Sequence, residues 1–408
     1  MRVVYLSASA QLGGAEISLL DMVASLRAAA PEWRLHLVVT EDGPLRQRAA
    51  ECGVTATTIL PLSPALARLG DAGKEQARPA LLSKLLLASP AAARYARKLK
   101  RTLRALDADV IHSNGLKMHA LAAWSKPRGV PLVWHVHDYL SARPVMGRVL
   151  GKLAGRCAAV LANSESVAED VRAVCGPGLK VRTVYNGIDV ETFSPAGPRL
   201  DLDALAGLPP AAPETIRVGM LATLARWKGH QTFLRALASL PPELPVRGYV
   251  VGGALYRTEG SQHSLTELKE MAASLGIAAR VGFTGFLDQP ADAMRALDVV
   301  VHASTRPEPF GLVIAEGMAC GRAVIVSRAG GASELIEANV NALSHTPGDA
   351  ADLARRITRL ALDQSLRARL GAAGRATAER RFDRARLASE LIPIYRAVTN
   401  GSDLHDRA

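Results

Sequence analysis

The stretch RPEPFGLVIAEGMACGRAVIVS, residues 306–327, sets two carboxylates around a Pro-Phe-Gly turn and an apolar, helix-like run. Glu308 precedes the turn, whereas Glu316 lies inside the run. The apolar run VVVHAS before the stretch and RAVIVS at its end predict strands, so a helix starting near Leu312 would connect two strands of an α/β sheet. A carboxylate within such a helix costs free energy unless a partner or a ligand holds it. The stretch therefore predicts a fold class and a candidate site.

The N-terminus of this predicted helix is suited to an anion. The turn before the helix consists of Pro309, Phe310 and Gly311. The open backbone N–H groups there would face an anion, with Glu308 beside it and Glu316 one turn deeper. Carboxylates are poor phosphate ligands but good acceptors for vicinal hydroxyl groups. The pattern therefore favours a ligand with a diphosphate and polyol groups, as in a nucleotide sugar. A purely structural Glu316 would instead need a buried Arg partner.

Length and composition indicate a folded protein of two domains. The chain has 408 residues, of which 49% are hydrophobic and 22% are charged. Its 4 cysteines are far apart and form no CxxC pair, which suits a reducing compartment and argues against disulfides and a zinc site. A strand-like MRVVYLSAS at the start shows no signal peptide, and no apolar run approaches the about 18–20 residues of a membrane span. We therefore expect a cytoplasmic protein.

The formal net charge of +12 has two interpretations. An Arg- and Ala-rich composition from a GC-rich genome would produce it without a partner. Alternatively, it would favour anionic partners such as nucleotide phosphates or an anionic membrane surface. Only 4% of residues are aromatic, and no basic patch is interleaved with them, so stacking on single-stranded nucleic acid is not expected.

Two series of alternating strands and helices are separated by a proline-rich segment. In the first series, strands are predicted at 2–9, 34–40, 54–60, 109–114, 131–138, 158–164 and 181–187, with helices at 15–29, 42–52 and 82–106. Five prolines then fall within 193–215, which is typical of a linker. The second series has strands in IRVGMLAT, VRGYVVGG, RVGFTGF, VVVHAST, RAVIVS and ALSHT. We predict domains at 1–192 and 214–380, a linker at 193–213, and a C-terminal helix at 381–400 that packs back on the first domain.

Three further features stand where predicted strands end, the edge at which open α/β sheets bind ligands. Gly13 and Gly14 open a helix near Ala15 and would let the backbone approach a phosphate, although such glycines are more often turn residues alone. His137 ends a strand and has either a structural or a functional role. Lys228 stands at the entrance to a helix and suits a diphosphate, although a solvated Lys beside a turn is equally typical.

Taken together, these motifs resemble the retaining glycosyltransferases of family 4, which have the GT-B fold. The resemblance rests on GGAE near the start, HVHD, NGID at 186–189, WKG at 227–229, and the E-x7-E pair Glu308 and Glu316 with its HASTRP and GMACGRAVIVS surroundings. It covers nearly the whole chain, with the motifs in the family's order. It implies an α/β fold of two Rossmann-like, doubly wound domains facing a central cleft, with the acceptor on the N-terminal side and the donor on the C-terminal side.

The resemblance also implies roles for the matching residues. Glu316 would accept hydrogen bonds from the ribose hydroxyls, and Glu308 would lie beside the transferred sugar. Backbone N–H groups for the sugar and the diphosphate would come from Phe310, Gly311 and Leu312, following Pro309. Lys228 would neutralise the diphosphate, which Gly13 and Gly14 would approach from the first domain. His137 would contact the sugar, so that the catalytic set is His137, Lys228 and Glu308.

The sequence departs from the family pattern at two positions. The family usually has an Arg five residues before the WKG lysine, where this chain has Thr223; Arg226 would substitute from a different place in the donor site. A glycine usual after the last helix of the second domain appears as Asn341, and Asn tolerates a left-handed backbone.

The implied reaction transfers a sugar from a nucleoside diphosphate, with UDP or GDP favoured, to an acceptor hydroxyl with retention of configuration. The resemblance implies no required metal. The DAD sequence at 107–109 is similar to a DxD motif, but Asp109 opens a predicted strand, so an Mg²⁺ site is not indicated. The acceptor would be a saccharide, a lipid-linked saccharide or a small glycoside in bacterial glycan, glycolipid or glycoside biosynthesis.

Two basic helical stripes suggest where a membrane acceptor would be met. They consist of Arg94, Arg97, Lys98, Arg101 and Arg104, and of Arg148, Lys152 and Arg156. Either would suit peripheral contact with anionic lipid on the inner face of the cell membrane, and either is also typical of an ordinary amphipathic helix.

Two other functions stay open at the level of sequence. UDP-N-acetylglucosamine 2-epimerases share the GT-B architecture and would bind a similar donor without an acceptor. A nucleotide-sugar-binding protein that has lost activity is the other alternative, and Thr223 is the residue that hints at it.

Overall fold

The computed structural model describes residues 1–67, 78–253 and 261–401, and the side chains of these except 65 and 78–89. The chain divides into two compact units. The first comprises Met1–Gly187 together with the C-terminal segment that begins at Arg384, and the second is Ile188–Asp383. Each contains a parallel sheet flanked by helices, so the predicted α/β class with two doubly wound domains is confirmed.

In the described part of the first unit, seven parallel strands form one sheet. The strands are β1 (Arg2–Ser7), β2 (Arg34–Val39), β3 (Ala56–Ile59), β4 (Val110–Asn114), β5 (Leu132–Val136), β6 (Ala159–Ala162) and β7 (Val181–Thr183). The helices are α1 (Gly14–Ala29), α2 (Pro44–Glu51), α3 (Pro64–Ala67), α4 (Arg78–Ala105), α5 (Leu116–Ser125), α6 (Pro144–Leu153) and α7 (Glu165–Cys175). The central strands are buried along nearly their whole length because helices cover both faces of the sheet.

The strand order of the first sheet places its switch point next to the predicted motifs. The order is β3-β2-β1-β4-β5-β6-β7, so the winding direction reverses between β1 and β4. In such sheets the crevice at the switch point, beyond the carboxyl ends of the strands, is where ligands bind. Gly13 and Gly14 follow β1, Asn114 ends β4, and His137 follows β5. The topology therefore gathers these residues at one edge of the sheet.

In the described part of the second unit, the sheet has six parallel strands. They are β8 (Ile216–Leu221), β9 (Val246–Val251), β10 (Val281–Gly285), β11 (Val299–His302), β12 (Ala323–Ser327) and β13 (Leu343–His345). The helices are α8 (Leu202–Ala206), α9 (His230–Ala238), α10 (Leu265–Ser274), α11 (Pro290–Arg295), α12 (Leu312–Ala319), α13 (Ala350–Leu362) and α14 (Gln364–Arg381). The order β10-β9-β8-β11-β12-β13 has its switch point between β8 and β11.

Residues 193–213, which the sequence predicts as a linker, form part of the second unit. Helix α8 lies within them, and Asp203 on this helix is buried. Its carboxylate pairs with Arg217 at 3.0 Å and Arg247 at 2.6 Å. The buried guanidinium of Arg295 donates to the carbonyls of Thr192, Ser194 and Pro198. Side chains of the second unit thus hold this proline-rich segment in place.

The last described helix, α15 (Leu387–Asn400), packs on the first unit. Its buried residues Leu387, Leu391 and Tyr395 share one hydrophobic cluster with β1, β2 and α1. The Tyr395 hydroxyl lies 2.7 Å from His112 Nδ1, and the backbone N–H of Ala388 donates to the Ser25 hydroxyl at 2.9 Å. The helix therefore completes the core on one face of the first sheet.

Two local expectations can be compared with the backbone. Asn341, which stands where the family usually has a glycine, does not adopt the left-handed backbone that Asn tolerates; the residue with positive φ in this turn is Asn339, at 66°. Asn341 is instead buried, accepting from the Glu337 N–H at 2.8 Å and donating to the Thr377 hydroxyl at 3.2 Å. Asp109 accepts from the Arg2 backbone N–H at 2.6 Å, which agrees with its structural interpretation.

Candidate active site

The turn after β8 presents Lys228 at the switch point of the second sheet. Residues Arg226–Lys228 form a 3-10 turn that ends at Gly229, whose φ of 86° is left-handed. A Cβ at Gly229 would lie 1.9 Å from the Ala303 carbonyl oxygen, so the backbone can approach the segment after β11 only because this residue has no side chain. The Thr305 N–H donates to the Trp227 carbonyl at 2.7 Å. The turn is therefore fixed against the segment that leads to Glu308.

Glu308 is a buried carboxylate surrounded by donors. Lys228 Nζ lies 2.9 Å from Oε1 and 2.7 Å from Oε2. Oε2 also accepts from the Ser304 hydroxyl at 2.8 Å and lies 3.2 Å from His302 Nε2. Burial by itself would raise the pKa of Glu308, but the Lys228 charge and the His302 hydrogen bond outweigh it and hold the pKa well below the usual value. The carboxylate is therefore ionised at neutral pH.

Helix α12 begins directly after the Pro-Phe-Gly turn, as the sequence predicts. Gly311 is its N-cap, with a left-handed φ of 93°. The Phe310 side chain is buried and meets Phe382 edge-on at 5.8 Å between ring centroids, so only its backbone is suited to a ligand. Pro309 and Leu312 are half-buried. The backbone N–H groups at the start of a helix suit an anion, although that of Ile314 already donates to the Gly311 carbonyl at 3.0 Å.

Glu316 lies in the second turn of α12 and is half-buried. Its neighbours Ala315 and Gly317 are buried, so the helix packs into the unit on both sides of this carboxylate. Gly317 sits against Val300 of β11, where an added Cβ would meet the valine side chain at 3.2 Å. The helix is thereby fixed close to the strand that leads to Glu308.

Arg226 and Thr223 occupy different surroundings from Lys228. The Arg226 guanidinium forms a two-point pair with Glu267 of α10, at 2.9 and 3.2 Å, and lies 3.3 Å from His263 Nδ1. Glu267 is also part of the capping box at the start of α10. The structure thus brings Lys228 to Glu308 but ties Arg226 to α10. Thr223 is half-buried in the segment between β8 and the 3-10 turn.

The Gly-Gly loop of the first unit ends in the N-cap of α1. Gly13 is the N-cap and has an extended backbone, and the helix begins at Gly14, one residue before the predicted start. Burial raises the pKa of Glu16 in the first turn, although hydrogen bonds from the backbone N–H groups of Glu16 and Gly13 oppose the rise. The Ser7 hydroxyl at the end of β1 donates to the Glu16 carboxylate at 3.5 Å, so Glu16 connects the end of this strand with the first turn of α1.

His137 stands beside this loop. Its Nε2 lies 2.6 Å from Asn114 Oδ1, and Asn114 Nδ2 donates to the Ala15 carbonyl at 3.1 Å. The His135 ring lies against His137, with 3.8 Å between centroids. Burial lowers the pKa of His137 to about 3, so the imidazole is neutral at pH 7. The structure thus brings Gly13, Gly14 and His137 to one edge of the first sheet.

Sequence reasoning missed the residues that orient the candidate groups. They are Asn114 for His137, His302 and Ser304 for Glu308, and Glu267 for Arg226. Three of them end or follow strands β4 and β11, so a search for polar residues at the carboxyl ends of strands would have found them. Glu267 gives no comparable signal, because its contact with Arg226 spans 41 positions.

The described residues contain neither of two further kinds of feature, a metal centre and a membrane-spanning helix. Within residues 1–67, 78–253 and 261–401, no group of three or more His, Cys, Asp or Glu is arranged to hold a metal ion. In the same ranges, no helix combines the length and the apolar character that crossing a bilayer requires.

Comparison with known proteins decides the family. A model described as glycosyl transferases group 1 matches residues 209–377, and one described as glycosyltransferase family 4 matches residues 12–192. The D-inositol 3-phosphate glycosyltransferase of Xylanimonas cellulosilytica is 31% identical over 316 residues, which cover 71% of this chain and 72% of that protein. The chain belongs to the group 1 glycosyltransferases. The predicted family is therefore confirmed.

Solved structures place this group 1 glycosyltransferase in the GT-B fold. HepE of Anabaena, solved in complex with UDP and glucose, is 28% identical with a TM-score of 0.79, and the match covers 97% of this chain and 100% of HepE. HepE in complex with UDP-glucose gives a TM-score of 0.77 at the same identity and coverage. Sucrose-phosphate synthase of Thermosynechococcus elongatus, at 20% identity and a TM-score of 0.77 over 98% of this chain and 100% of that one, shares the fold.

Proposed function

We propose that this glycosyltransferase moves a sugar from a nucleoside diphosphate sugar to an acceptor hydroxyl with retention at the anomeric carbon. The observation that carries the proposal is the pair of half-buried Lys228 and buried Glu308 at the switch point of the second sheet, next to the N-terminus of α12. A fixed cation, open N–H groups and an ionised carboxylate match the two halves of such a donor, its diphosphate and its sugar hydroxyls.

Each residue then has one task in donor binding. The diphosphate would lie against Lys228 and the N–H groups of Phe310, Gly311 and Leu312, after Pro309. Glu316 would accept from the ribose hydroxyls and Glu308 from the sugar hydroxyls. Gly13 and Gly14 would approach the diphosphate from the first unit, and His137 would contact the sugar. Thr223 would line the donor site without the charge of the usual Arg, and Arg226 would contribute only after leaving Glu267.

The nucleotide is proposed to be UDP in the first instance. HepE, which is 28% identical over nearly the whole chain, was solved with UDP and glucose and with UDP-glucose. A GDP-sugar is the other donor to test. Among the relatives, the D-inositol 3-phosphate glycosyltransferase is named after a small hydroxylated compound.

The proposed chemistry is front-face attack. The acceptor oxygen forms a bond to the anomeric carbon as the bond from that carbon to the diphosphate oxygen breaks, and the leaving diphosphate takes the acceptor proton. Lys228 and the N-terminus of α12 would stabilise the negative charge that grows on the diphosphate. The remaining contribution would come from positioning of donor and acceptor. No step in this scheme requires a metal ion.

Turnover of a donor panel tests the proposal. The protein is incubated with UDP-, GDP- and ADP-sugars, and nucleotide release and sugar identity are followed by chromatography. We expect slow release of the nucleotide from one donor by hydrolysis. An altered sugar still joined to its nucleotide would indicate an epimerase, and binding without turnover would indicate an inactive binding protein; either result contradicts the proposal.

The ribose assignment needs its own variant. Glu316→Ala is expected to weaken donor binding by about tenfold or more, because a carboxylate that accepts from two hydroxyls is lost. Glu270→Ala, an exposed glutamate on α10, is the matched control and should bind the donor as the wild type does. Full donor affinity in Glu316→Ala would contradict the assignment.

The acceptor is proposed to be a saccharide, a lipid-linked saccharide or a small glycoside, and a lipid-linked acceptor would be met at the cytoplasmic face of the membrane. Arg94, Arg97, Lys98, Arg101 and Arg104 are all exposed, as are Arg148, Lys152 and Arg156. The first stripe lies on α4, and the second lies on α6 and, for Arg156, on the 3-10 turn that follows α6. Helices α4 and α6 both pack against α5, so the two basic stripes lie on one helical layer of the first unit. Each basic residue close to an anionic surface contributes about 1 kcal/mol to binding.

Flotation with anionic vesicles tests the membrane part. Wild-type protein should float with phosphatidylglycerol vesicles at low salt, and Arg97→Glu/Arg101→Glu should bind at least about tenfold more weakly. Arg235→Glu/Lys269→Glu reverses the same number of exposed charges in the second unit and should bind as the wild type does. Absence of wild-type binding, or equal loss in both variants, would rule out this surface.

A further inference from the structure

Asn114 joins the two candidate elements of the first unit. It is buried, with 2% of its surface exposed, and it ends strand β4 at the switch point with β1. Its Nδ2 donates to the Ala15 carbonyl at 3.1 Å, and its Oδ1 lies 2.6 Å from His137 Nε2. One amide therefore contacts both the first turn of α1 and the candidate catalytic histidine.

The chemistry of these contacts fixes where the imidazole proton lies. A backbone carbonyl can only accept, so the NH₂ end of the Asn114 amide must face Ala15. The amide oxygen then faces His137, and an oxygen can only accept. Nε2 must consequently carry the proton, which leaves the lone pair of the neutral ring on Nδ1.

We propose that Asn114 is a positioning residue that holds His137 as the Nε2–H tautomer, so that Nδ1 accepts a hydrogen bond from a substrate hydroxyl. His137 Nδ1 would then recognise a group that donates a hydrogen bond, such as a hydroxyl, and would reject a group that can only accept one. This inference rests on the proposed function, in which His137 contacts the sugar.

The surroundings of His137 support a fixed ring. His135 lies against it at 3.8 Å between centroids, which limits rotation of the ring. Burial lowers the pKa of His137 to about 3, so the neutral ring, for which the tautomer matters, is the form present at pH 7. Because the same amide holds the Ala15 carbonyl, the loop of Gly13 and Gly14 and the imidazole form one connected set.

The first test reads the tautomer directly. Long-range ¹H–¹⁵N spectra of the wild-type protein at pH 7, with the His137 signals assigned by comparison with His137→Gln, should show Nδ1 unprotonated and Nε2 protonated. A protonated Nδ1 would overturn the proposal. This measurement needs no substrate, so it stands even if the proposed donor chemistry fails.

The second test removes the amide. Asn114→Leu keeps the branched shape of the side chain but removes the amide, and it should allow both tautomers. Nucleotide release from the donor that the wild type hydrolyses should fall by about 10- to 100-fold, as for a misplaced group. Asn114→Asp keeps the acceptor oxygen and should retain the Nε2–H form; it provides the comparison if the Leu variant does not fold.

A matched control separates positioning from loss of stability. Asn341→Leu removes another buried amide that both donates and accepts, in the second unit. It should leave the His137 spectrum and the release rate unchanged. The proposal would be overturned if Asn114→Leu kept His137 as the Nε2–H tautomer and released nucleotide at the wild-type rate. It would also be overturned if Asn341→Leu lost the single tautomer and the release rate to the same extent as Asn114→Leu.

A wild-type protein that shows the expected tautomer but turns over no donor would contradict the proposed function alone.

Discussion

Lys228 and Glu308, which are 80 positions apart in the chain, form a two-point ion pair in which Nζ lies 2.9 and 2.7 Å from the carboxylate oxygens. They meet because β8 and β11 are neighbours at the switch point of the second sheet. The two side chains are only 21% and 8% exposed. The pair therefore keeps a buried anion beside a half-buried cation, and the Lys228 charge makes the buried Glu308 carboxylate tolerable.

Removal of the lysine should destabilise the second unit. Lys228→Met leaves Glu308 as a buried carboxylate without its cation, and we expect the free energy of unfolding to fall by about 3–5 kcal/mol. The double variant Lys228→Met/Glu308→Gln should recover most of this loss, since no charge is left unpaired. Urea unfolding followed by circular dichroism provides the measurement. A double variant as unstable as the single one would show that the unpaired charge is not the cause.

Gly229 should tolerate no side chain. In Gly229→Ala, a left-handed residue gains a Cβ 1.9 Å from the Ala303 carbonyl oxygen. The strain should lower the free energy of unfolding by roughly 3 kcal/mol or more and displace Lys228, so donor binding should weaken too. Gly276→Ala is the matched control, because its φ is 71° but nothing lies within 4 Å. It should cost only about 1–2 kcal/mol, and equal costs would contradict the packing argument.

The buried histidines should make the first unit sensitive to acid. Burial lowers the pKa of His112 to about 3 and that of His119 and His135 well below the ordinary 6.5. The unfolded chain takes up protons near pH 6.5 and the folded chain does not. Stability is therefore fully present above this pH and falls below it, by up to about 1.4 kcal/mol per pH unit for each histidine.

His135→Phe tests this pH dependence. Both ring nitrogens of His135 are buried without a hydrogen-bond partner in the described part of the chain, so Phe removes a titrating group without breaking a hydrogen bond. The pH slope of unfolding should decrease by about 1.4 kcal/mol per unit between pH 6 and 5. Tryptophan fluorescence in a Trp227→Phe background reports on the first unit, which holds the other three of the 4 tryptophans. An unchanged slope would mean that His135 titrates normally.

Loss of the Tyr395 hydroxyl should weaken the attachment of α15. In Tyr395→Phe, His112 Nδ1 loses the partner that it has at 2.7 Å within the core. We expect a cost of about 1–3 kcal/mol to the first unit, measured by urea unfolding. Tyr139→Phe, whose hydroxyl lies 3.0 Å from Ser166 in a half-buried position, is the control and should cost less. The reverse order of these costs would argue against a core role for the Tyr395 hydroxyl.

The fold could be predicted from the sequence because its signals are local. Short apolar runs such as VVVH and AVIVS are typical of strands that are buried on both faces. The helices between these runs favour parallel pairing of the strands. The strand order could not be predicted from these patterns. It depends on which strands pair, and β1 pairs with both β2 and β4, which are far apart in the chain.

The candidate site could be predicted only in part, because local sequence signals mark some of its residues and distant contacts determine the others. Glu308, Gly311 and Lys228 stand out because glycine, charge and apolar runs are combined within a few residues. Their partners are set by tertiary contacts, as with Ser304 and Asn114, whose residue types are common in any loop. The same holds for the turn that contains Asn339 and Asn341, because only the backbone shows that Asn339 is the left-handed one.

Helix α15 reverses the order in which the two units can be completed during synthesis. Tyr395 follows His112 by 283 residues, so the ribosome releases the whole of Ile188–Asp383 before the helix that closes the first core exists. The second unit is contiguous and can fold as soon as it emerges. The first unit emerges earlier but has to wait, with the apolar surface that Leu387 and Leu391 later cover still open to water. The earlier unit is therefore the one that we expect to expose apolar surface for longest during synthesis.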